Sequence, residues 1–155
     1  MKKLRASRGT SLTEMLVAIA VLGLLTLAVA TGIAASVPVY QDATALSESS
    51  ILASTLTQAL QNELRYARDV QLYDDGTLHS YTSTNFGLDA AITNDNGHIQ
   101  AGGSDLVGSG AYTTLAATAD ILYKEPYFEV TIRISDGSKT VRTVTFPVEP
   151  LNPVG

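Results

Sequence analysis

One carboxylate stands out among the residues that could do chemistry. Glu14 lies at the start of an apolar run, and no charged residue occurs from Met15 to Tyr40. A carboxylate near or inside the hydrocarbon of a bilayer is costly and usually marks a function that involves a partner. Alternatively, Glu14 lies at the level of the lipid headgroups or caps the N-terminus of a helix, where a negative charge is favoured. The charge argument by itself leaves both interpretations open.

The other candidate groups are sparse. The chain has no cysteine, which excludes disulfides, thiolate nucleophiles and thiolate metal sites. His79 and His98 show no ligand spacing, and we expect both to be isolated surface histidines. No nucleophile motif or phosphate-binding loop is present, so the sequence predicts a protein that is not an enzyme and carries no cofactor.

One acidic segment could suit calcium. Asn94-Asp95-Asn96-Gly97, with Asp89 and Asp105 nearby, offers hard oxygen ligands of the kind that calcium prefers. The segment lacks the remaining spacing of an EF-hand loop and fits a plain turn better. We therefore predict no metal site, and leave open whether calcium binds near Asp95.

Charge is distributed unevenly along the chain. The formal net charge is -5, yet four of the ten basic residues lie within the first eight positions: Lys2, Lys3, Arg5 and Arg8. The rest of the chain has six basic against fifteen acidic side chains. Nucleic-acid binding normally requires a basic face, so an acidic body argues against a nucleic-acid partner.

The apolar run is long enough to cross a membrane. About 20 apolar residues span the hydrocarbon core as a helix. A cleaved signal peptide has an apolar core of about 7–15 residues before a small-residue site. Ala34-Ala35-Ser36 imitates such a site, but the run before it is longer than that. Basic residues precede the helix and acidic residues follow it, which predicts a cytoplasmic N-terminus and an external body.

Residues 9–25 read GTSLTEMLVAIAVLGLL, and a basic leader precedes them. This stretch of seventeen positions resembles the N-terminal signature of type IV prepilins and pseudopilins. That signature is a basic leader ending in Gly, then an aromatic or apolar residue, Thr or Ser, Leu, any residue, Glu and a long apolar helix. The chain departs from it at Thr10, where the family usually has Phe, and at Thr13, where it usually has an aliphatic residue.

The resemblance implies roles for three residues. A membrane prepilin peptidase would cleave between Gly9 and Thr10, and Thr10 would become the N-methylated N-terminus. Glu14 would pair with the N-terminal amine of an adjacent subunit during assembly. This pairing is physically reasonable, because two buried charges are tolerable together and expensive apart.

The region after the membrane segment has a helical pattern followed by strand patterns. A helix is predicted from about Tyr40 to Val70, continuous with the membrane helix apart from a possible kink at Pro38. Its apolar stripe consists of Leu52, Leu56, Leu60, Leu64 and Ala67. The other faces carry Ser49, Ser50, Gln58, Gln61, Arg65 and Arg68. Along the membrane helix, Gly23 and Gly32 are either ordinary small residues of a membrane helix or mark a segment of low helix stability that can stretch or melt when subunits pack.

Two hairpins are predicted beyond that helix. The first joins Val70–Tyr73 to Thr77–Tyr81 through Asp74-Asp75-Gly76. Residues 83–110 are expected to be loop, and 111–124 fit either a strand or a short helix. The last hairpin turns at Ser135-Asp136-Gly137, with a three-residue loop and Gly137 left-handed.

Alternation fixes the face and the register of this last hairpin. Its apolar positions are Phe128, Val130, Ile132 and Ile134 on the first strand and Val144, Phe146 and Val148 on the second. The predicted loop places Ile132 opposite Thr140 and Phe128 opposite Val144, with both apolar sets on one face. The tail from Pro147 to Gly155 is expected to be an extended edge or a disordered end.

These patterns predict an α+β fold in which a long N-terminal helix packs on a small antiparallel sheet. The expected divisions are a leader at 1–9, a transmembrane and assembly helix at 10–40, an amphipathic helix at 41–72 and a β-sheet head at 73–155. The resemblance implies a structural subunit of a type IV pilus-type filament, a minor pilin or pilin-like protein, with prepilin peptidase, other pilin subunits and the membrane as partners. The subunit would be a single-pass membrane protein before assembly and part of a surface filament afterwards. The alternatives are a pseudopilin of a secretion or competence system and an anchored binding module that never polymerises.

Overall fold

The computed structural model describes residues 11–112, 114–137, 139–152 and 154. One helix, α1, runs without interruption over Leu12–Arg65, a length of 54 residues. The chain forms two compact units, divided between Asp42 and Ala43, and α1 contributes to both. The predicted continuity of the helix through Pro38 is confirmed.

The first unit contains the apolar half of α1. Its large apolar side chains, from Leu12 to Tyr40, are exposed. Thr26 and Thr31 satisfy their hydroxyls within the helix, because Thr26 Oγ1 donates to Leu22 O and Thr31 Oγ1 donates to Leu27 O, both at 3.0 Å. Among the described residues, α1 is the one helix long and apolar enough to cross a membrane.

The second half of α1 forms the spine of the body. The predicted stripe is confirmed, since Leu52, Leu56, Leu60 and Leu64 are all buried, as is Ala67 just beyond the helix. Ser49 was predicted to lie on a polar face, but it is fully buried and donates to Leu46 O at 2.9 Å. Its hydroxyl bonds within the helix, and a buried serine is therefore tolerated there.

The helix ends at Arg65 rather than near Val70. Strand β1, Arg68–Leu72, begins three residues later. The C-terminal tail satisfies carbonyls at this end, since Leu151 N donates to Arg65 O at 2.8 Å and Asn152 Nδ2 donates to Ala67 O at 2.9 Å. These bonds serve carbonyls that have no partner within the helix. The described part of the tail after β9 is thus held at the helix end.

The first predicted hairpin is confirmed. Strand β1 pairs antiparallel with β2, Leu78–Ser83, and β2 pairs with β3, Gly87–Ala90. The turn between β1 and β2 is closed by bonds from Tyr73 N to Thr77 O and from Gly76 N to Tyr73 O, both 2.9 Å. Gly76 has φ +83°, the left-handed conformation that glycine adopts most readily.

The prediction that 83–110 is loop was wrong. This region contains β3 and a second three-stranded sheet made of β4, Ile92–Asp95, β5, His98–Ala101, and β6, Ser104–Asp105. Strands β4 and β5 are joined by Asn96-Gly97, whose φ values are +50° and +80°. An Asn-Gly pair with both φ values positive is a strong signal for a two-residue hairpin. The local turn chemistry was therefore present, but the short polar strands beside it lack apolar alternation.

The third sheet has the order β7-β8-β9, with β7 at Leu115–Lys124, β8 at Tyr127–Asp136 and β9 at Lys139–Val148. The ambiguous segment 111–124 is thus mainly a strand. The alternating apolar residues of β8 are fully buried, as predicted: Phe128, Val130, Ile132 and Ile134.

The predicted register of the last hairpin was wrong. Ile132 pairs with Val144 rather than Thr140, and Phe128 pairs with Val148 rather than Val144. The strands continue to Asp136 paired with Lys139, so two residues connect them instead of three. A bulge between the Ile134 and Ser135 pairs then shifts β9 by one residue. The shift returns the apolar residues of β9 to the face of the buried residues of β8, as the alternation required.

Candidate functional site

The carboxylate of Glu14 lies in a capping box at the start of α1. Ser11 N donates to Glu14 Oε2 at 3.0 Å, and Glu14 N donates in return to Ser11 Oγ at 3.3 Å. Such a reciprocal pair satisfies two of the amides that have no partner inside the helix. All of these residues are exposed. The capping interpretation of Glu14 therefore has direct geometric support.

An apolar helix face adjoins this carboxylate. Glu14 and Thr13 border a shallow surface formed by the residues of the next three turns: Val17, Ala18, Val21, Leu22 and Leu25. A carboxylate beside an exposed apolar face in a membrane helix is costly unless a cation or donor joins it. Gly9 and Thr10, predicted as the cleavage and methylation sites, lie outside the described residues.

A second carboxylate, which sequence reasoning missed, is buried in the body. Glu63 is only 5% exposed although it lies on the C-terminal part of α1. Its Oε1 accepts a hydrogen bond from Ser83 Oγ, and its Oε2 accepts one from Asn85 Nδ2 at 3.1 Å. Ser83 Oγ in turn accepts from the amides of Asn85, at 3.0 Å, and Phe86, at 2.9 Å. The carboxylate thus ties the β2–β3 turn to the helix.

Tyr81 lies next to this cluster and is 1% exposed. Its hydroxyl has no hydrogen-bond partner among the described residues. Burial raises the pKa of Tyr81 well above its ordinary value, and the negative charge of Glu63 raises it further. Both causes disfavour the phenolate, so the hydroxyl stays protonated. The signal that could have suggested this cluster is the position of Glu63 directly beside Leu64 of the apolar stripe.

His98 is not the isolated histidine that was predicted. Its Nδ1 lies 2.9 Å from Asp105 Oδ2, and its ring stacks on Tyr112 with centroids 4.0 Å apart. Gln100 Nε2 donates to the other oxygen of Asp105 at 3.1 Å. The bonds from His98 and then from Gln100 lower the pKa of Asp105. Hairpin pairing brings these residues together across seven positions of sequence. His79 is exposed, and its ring makes an edge-to-face contact with Tyr73, with centroids 4.5 Å apart.

The oxygen-rich segment near Asp95 serves the fold. Asn94 Oδ1 accepts from Ala119 N at 2.8 Å, and Asn94 Nδ2 donates to Ala119 O at 3.0 Å. The carboxylate of Asp105 is held by His98 and Gln100. Within the ranges that the structure describes, no group of three or more His, Cys, Asp or Glu residues could hold a metal ion.

Comparisons with family models, with curated proteins and with solved structures find no match for this chain. Its function is therefore inferred from its own residues and their geometry.

Proposed function

We propose that this protein is a structural subunit of a type IV pilus-type filament, a minor pilin or pilin-like protein that prepilin peptidase processes before assembly. The observation that carries the proposal is the combination at the start of α1. One carboxylate adjoins an exposed apolar helix half, and that same helix continues as the buried spine of a separate body.

The exposed apolar half requires a cover. Side chains such as Leu16, Leu24 and Ile33 are about 60% exposed or more. Lipid covers such a surface before assembly, and the helices of other subunits would cover it in a filament core. Small residues on a membrane helix allow the close approach that such packing needs. Gly23 and Gly32 have open space beside them, because no atom from another part of the chain lies within 4 Å of the position that a Cβ would take.

Glu14 would then provide the assembly contact. Its carboxylate accepts from the neutral backbone amide of Ser11, and that bond does not balance its negative charge. An N-terminal amine from an adjacent subunit would balance that charge inside an apolar bundle, where a pair is tolerable and a lone charge costs several kcal/mol. The subunit would lie in the membrane with a cytoplasmic N-terminus before assembly, and in a surface filament or a secretion or competence fibre afterwards.

The capping box favours a second candidate function from another class. A single-pass anchored binding module would need Glu14 only to start its helix, and it would never polymerise. The two functions differ in which residue of the box matters. Ser11 contributes to capping without carrying a charge, whereas Glu14 contributes both capping and charge.

The test compares Glu14→Gln with Ser11→Ala in the full-length protein. Glutamine keeps the shape and the acceptor oxygen while removing the charge, and Ser11→Ala removes one capping acceptor while keeping the carboxylate. We expect Glu14→Gln to insert into the membrane as well as or better than the wild type but to be lost from sheared filaments. Ser11→Ala should enter filaments at nearly wild-type levels. Normal filament incorporation of Glu14→Gln would refute the assembly role and favour the anchored module.

A further inference from the structure

The tip of the β4–β5 hairpin brings an exposed side-chain amide next to an unhindered backbone amide. Asp95 pairs with His98 and closes the turn. The two turn residues are therefore Asn96, which is exposed, and Gly97. In the part of the chain that the structure describes, the Gly97 N–H donates no hydrogen bond to another group. Because glycine has no Cβ, its own side chain does not screen this nitrogen either.

The two asparagines of this hairpin differ in how their side chains are held. Both are exposed. The Oδ1 of Asn94 accepts from Ala119 N and its Nδ2 donates to Ala119 O, so both amide atoms of Asn94 are bound to the backbone of β7. The Nδ2 of Asn96 donates to Asp95 Oδ2 at 3.1 Å, and Asp95 is itself exposed. The side chain of Asn96 is therefore held by one solvent-facing neighbour, whereas that of Asn94 is fixed to a strand.

We infer that Asn96-Gly97 is a modification site, at which the side-chain amide of the asparagine is lost spontaneously while the protein stays folded. Asparagine is among the thermolabile residues of proteins. Asn96 is the one asparagine of the chain that a glycine follows. Its side chain is open to water, and the backbone nitrogen that attacks it is not engaged elsewhere within the described residues. The reaction needs water and no oxidant, metal ion or enzyme.

The reaction has two steps. Gly97 N attacks Cγ of Asn96 and gives its proton to water, while the Cγ–Nδ2 bond breaks and Nδ2 takes up a proton and leaves as ammonia. Water then opens the cyclic imide that has formed. Opening at Cγ gives aspartate, and opening at the backbone carbonyl gives isoaspartate, in which the chain runs through Cβ and Cγ. The net change in either case is that water is taken up and ammonia is released.

Both products disturb the contacts of this turn. A carboxylate at position 96 has no N–H, so Asp95 loses its donor and gains a negative charge beside it. Isoaspartate also lengthens the backbone of a two-residue turn by one carbon. The turn packs closely on β7, since Ala117 N donates to Gly97 O at 2.7 Å and a Cβ at Gly97 would lie 2.7 Å from the Cβ of Ala116. Lengthening the turn should therefore weaken its contact with β7 and lower the stability of the body.

Peptide mass spectrometry of the full-length protein tests the reaction. The protein is kept folded in detergent in warm, mildly alkaline buffer, and samples are digested over time. The mass gain from replacing the side-chain NH2 by OH should appear at Asn96 several times faster than at Asn94, with aspartate and isoaspartate peptides separated by chromatography. Asn94 is the matched control, because it is exposed in the same hairpin. Equal rates at the two positions, or conversion of Asn96 that occurs in urea but not in the folded protein, would overturn the proposal.

Removal of the side chain tests the structural consequence. Asn96→Gly leaves no amide to lose, and glycine readily adopts the positive φ of this position. During the same incubation the Tm of the wild type should fall as isoaspartate accumulates, whereas Asn96→Gly should keep its initial Tm. An equal fall of Tm in both proteins, or an unchanged Tm in wild-type protein that has reacted, would overturn the link between this site and the stability of the body.

Discussion

The two buried tyrosines of the body allow a paired test of its polar interior. The Tyr112 hydroxyl accepts from Ile99 N at 3.0 Å and faces Ile99 O at 3.5 Å, whereas the Tyr81 hydroxyl has no partner among the described residues. Replacing each by phenylalanine removes one oxygen and leaves the ring in place. The two substitutions therefore remove the same atom, but Tyr112→Phe breaks a hydrogen bond whereas Tyr81→Phe breaks none.

The expected magnitudes follow from the cost of an unpaired buried polar group. Tyr112→Phe leaves Ile99 N without its acceptor and should lower the free energy of unfolding by about 1–3 kcal/mol. Tyr81→Phe removes an unpaired buried hydroxyl and should change that free energy little or raise it by about 1 kcal/mol. For a body of this size, 1 kcal/mol corresponds to a shift of roughly 4–8 °C in Tm. The gap between the two variants should therefore be easy to measure.

The assay is thermal and urea unfolding of a soluble fragment that begins at Ala43, the start of the second compact unit. The wild-type fragment and both variants are compared at neutral pH. A loss of stability in Tyr81→Phe equal to that in Tyr112→Phe would refute the reasoning. It would mean that the Tyr81 hydroxyl donates a stabilising hydrogen bond, with the Glu63 carboxylate, which also raises the pKa of Tyr81, as the acceptor.

The same residue predicts a pH dependence. The folded state raises the pKa of Tyr81, while the unfolded chain releases this proton near pH 10. Below pH 10 the ionisation of Tyr81 does not lower the free energy of unfolding. Above pH 10 that free energy falls as the pH rises, because the unfolded state loses the proton while the folded state keeps it. Tyr81→Phe should reduce the loss of stability in alkaline solution. If this variant lost as much stability above pH 10 as the wild type, Tyr81 would not be the group responsible.

Three further predictions concern processing, backbone strain and the buried carboxylate. Gly9→Val should leave the full precursor in the membrane, as intact-mass measurement would show, and normal maturation would argue against a prepilin peptidase. Gly97→Ala should destabilise the soluble fragment more than Gly103→Ala. Both glycines have φ near +80°, so the backbone strain is matched. A Cβ at Gly97 would lie 2.7 Å from the Cβ of Ala116, whereas a Cβ at Gly103 would meet open space. An equal decrease of Tm in the two variants would contradict the steric argument. Glu63→Ala should cost about 1–3 kcal/mol because two donors lose their acceptor, whereas Gln58→Ala on the exposed side of the same helix should change stability by about 0.5 kcal/mol or less.

Local patterns were sufficient to predict the main elements of this protein. The apolar run from Met15 gives a helix able to span a bilayer, and the leucine spacing from Leu52 to Leu64 gives the buried stripe of its second half. Strict alternation gives the buried face of β8. Each of these signals depends only on the period of a helix or a strand, and period is a property of neighbouring residues.

Tertiary structure decided the details that depend on distant neighbours. Glu63 is buried because the β2–β3 turn supplies donors to it, and His98 meets Asp105 because a hairpin brings β6 beside β5. The register of β9 depends on a bulge that alternation alone does not locate. Short polar strands such as β4 form because the packed body supplies partners for their backbone groups, which an apolar pattern cannot reveal. Sequence periodicity shows which face of a helix or strand is apolar. The partners of polar groups depend on which elements pack together, and that packing is determined only in the folded chain.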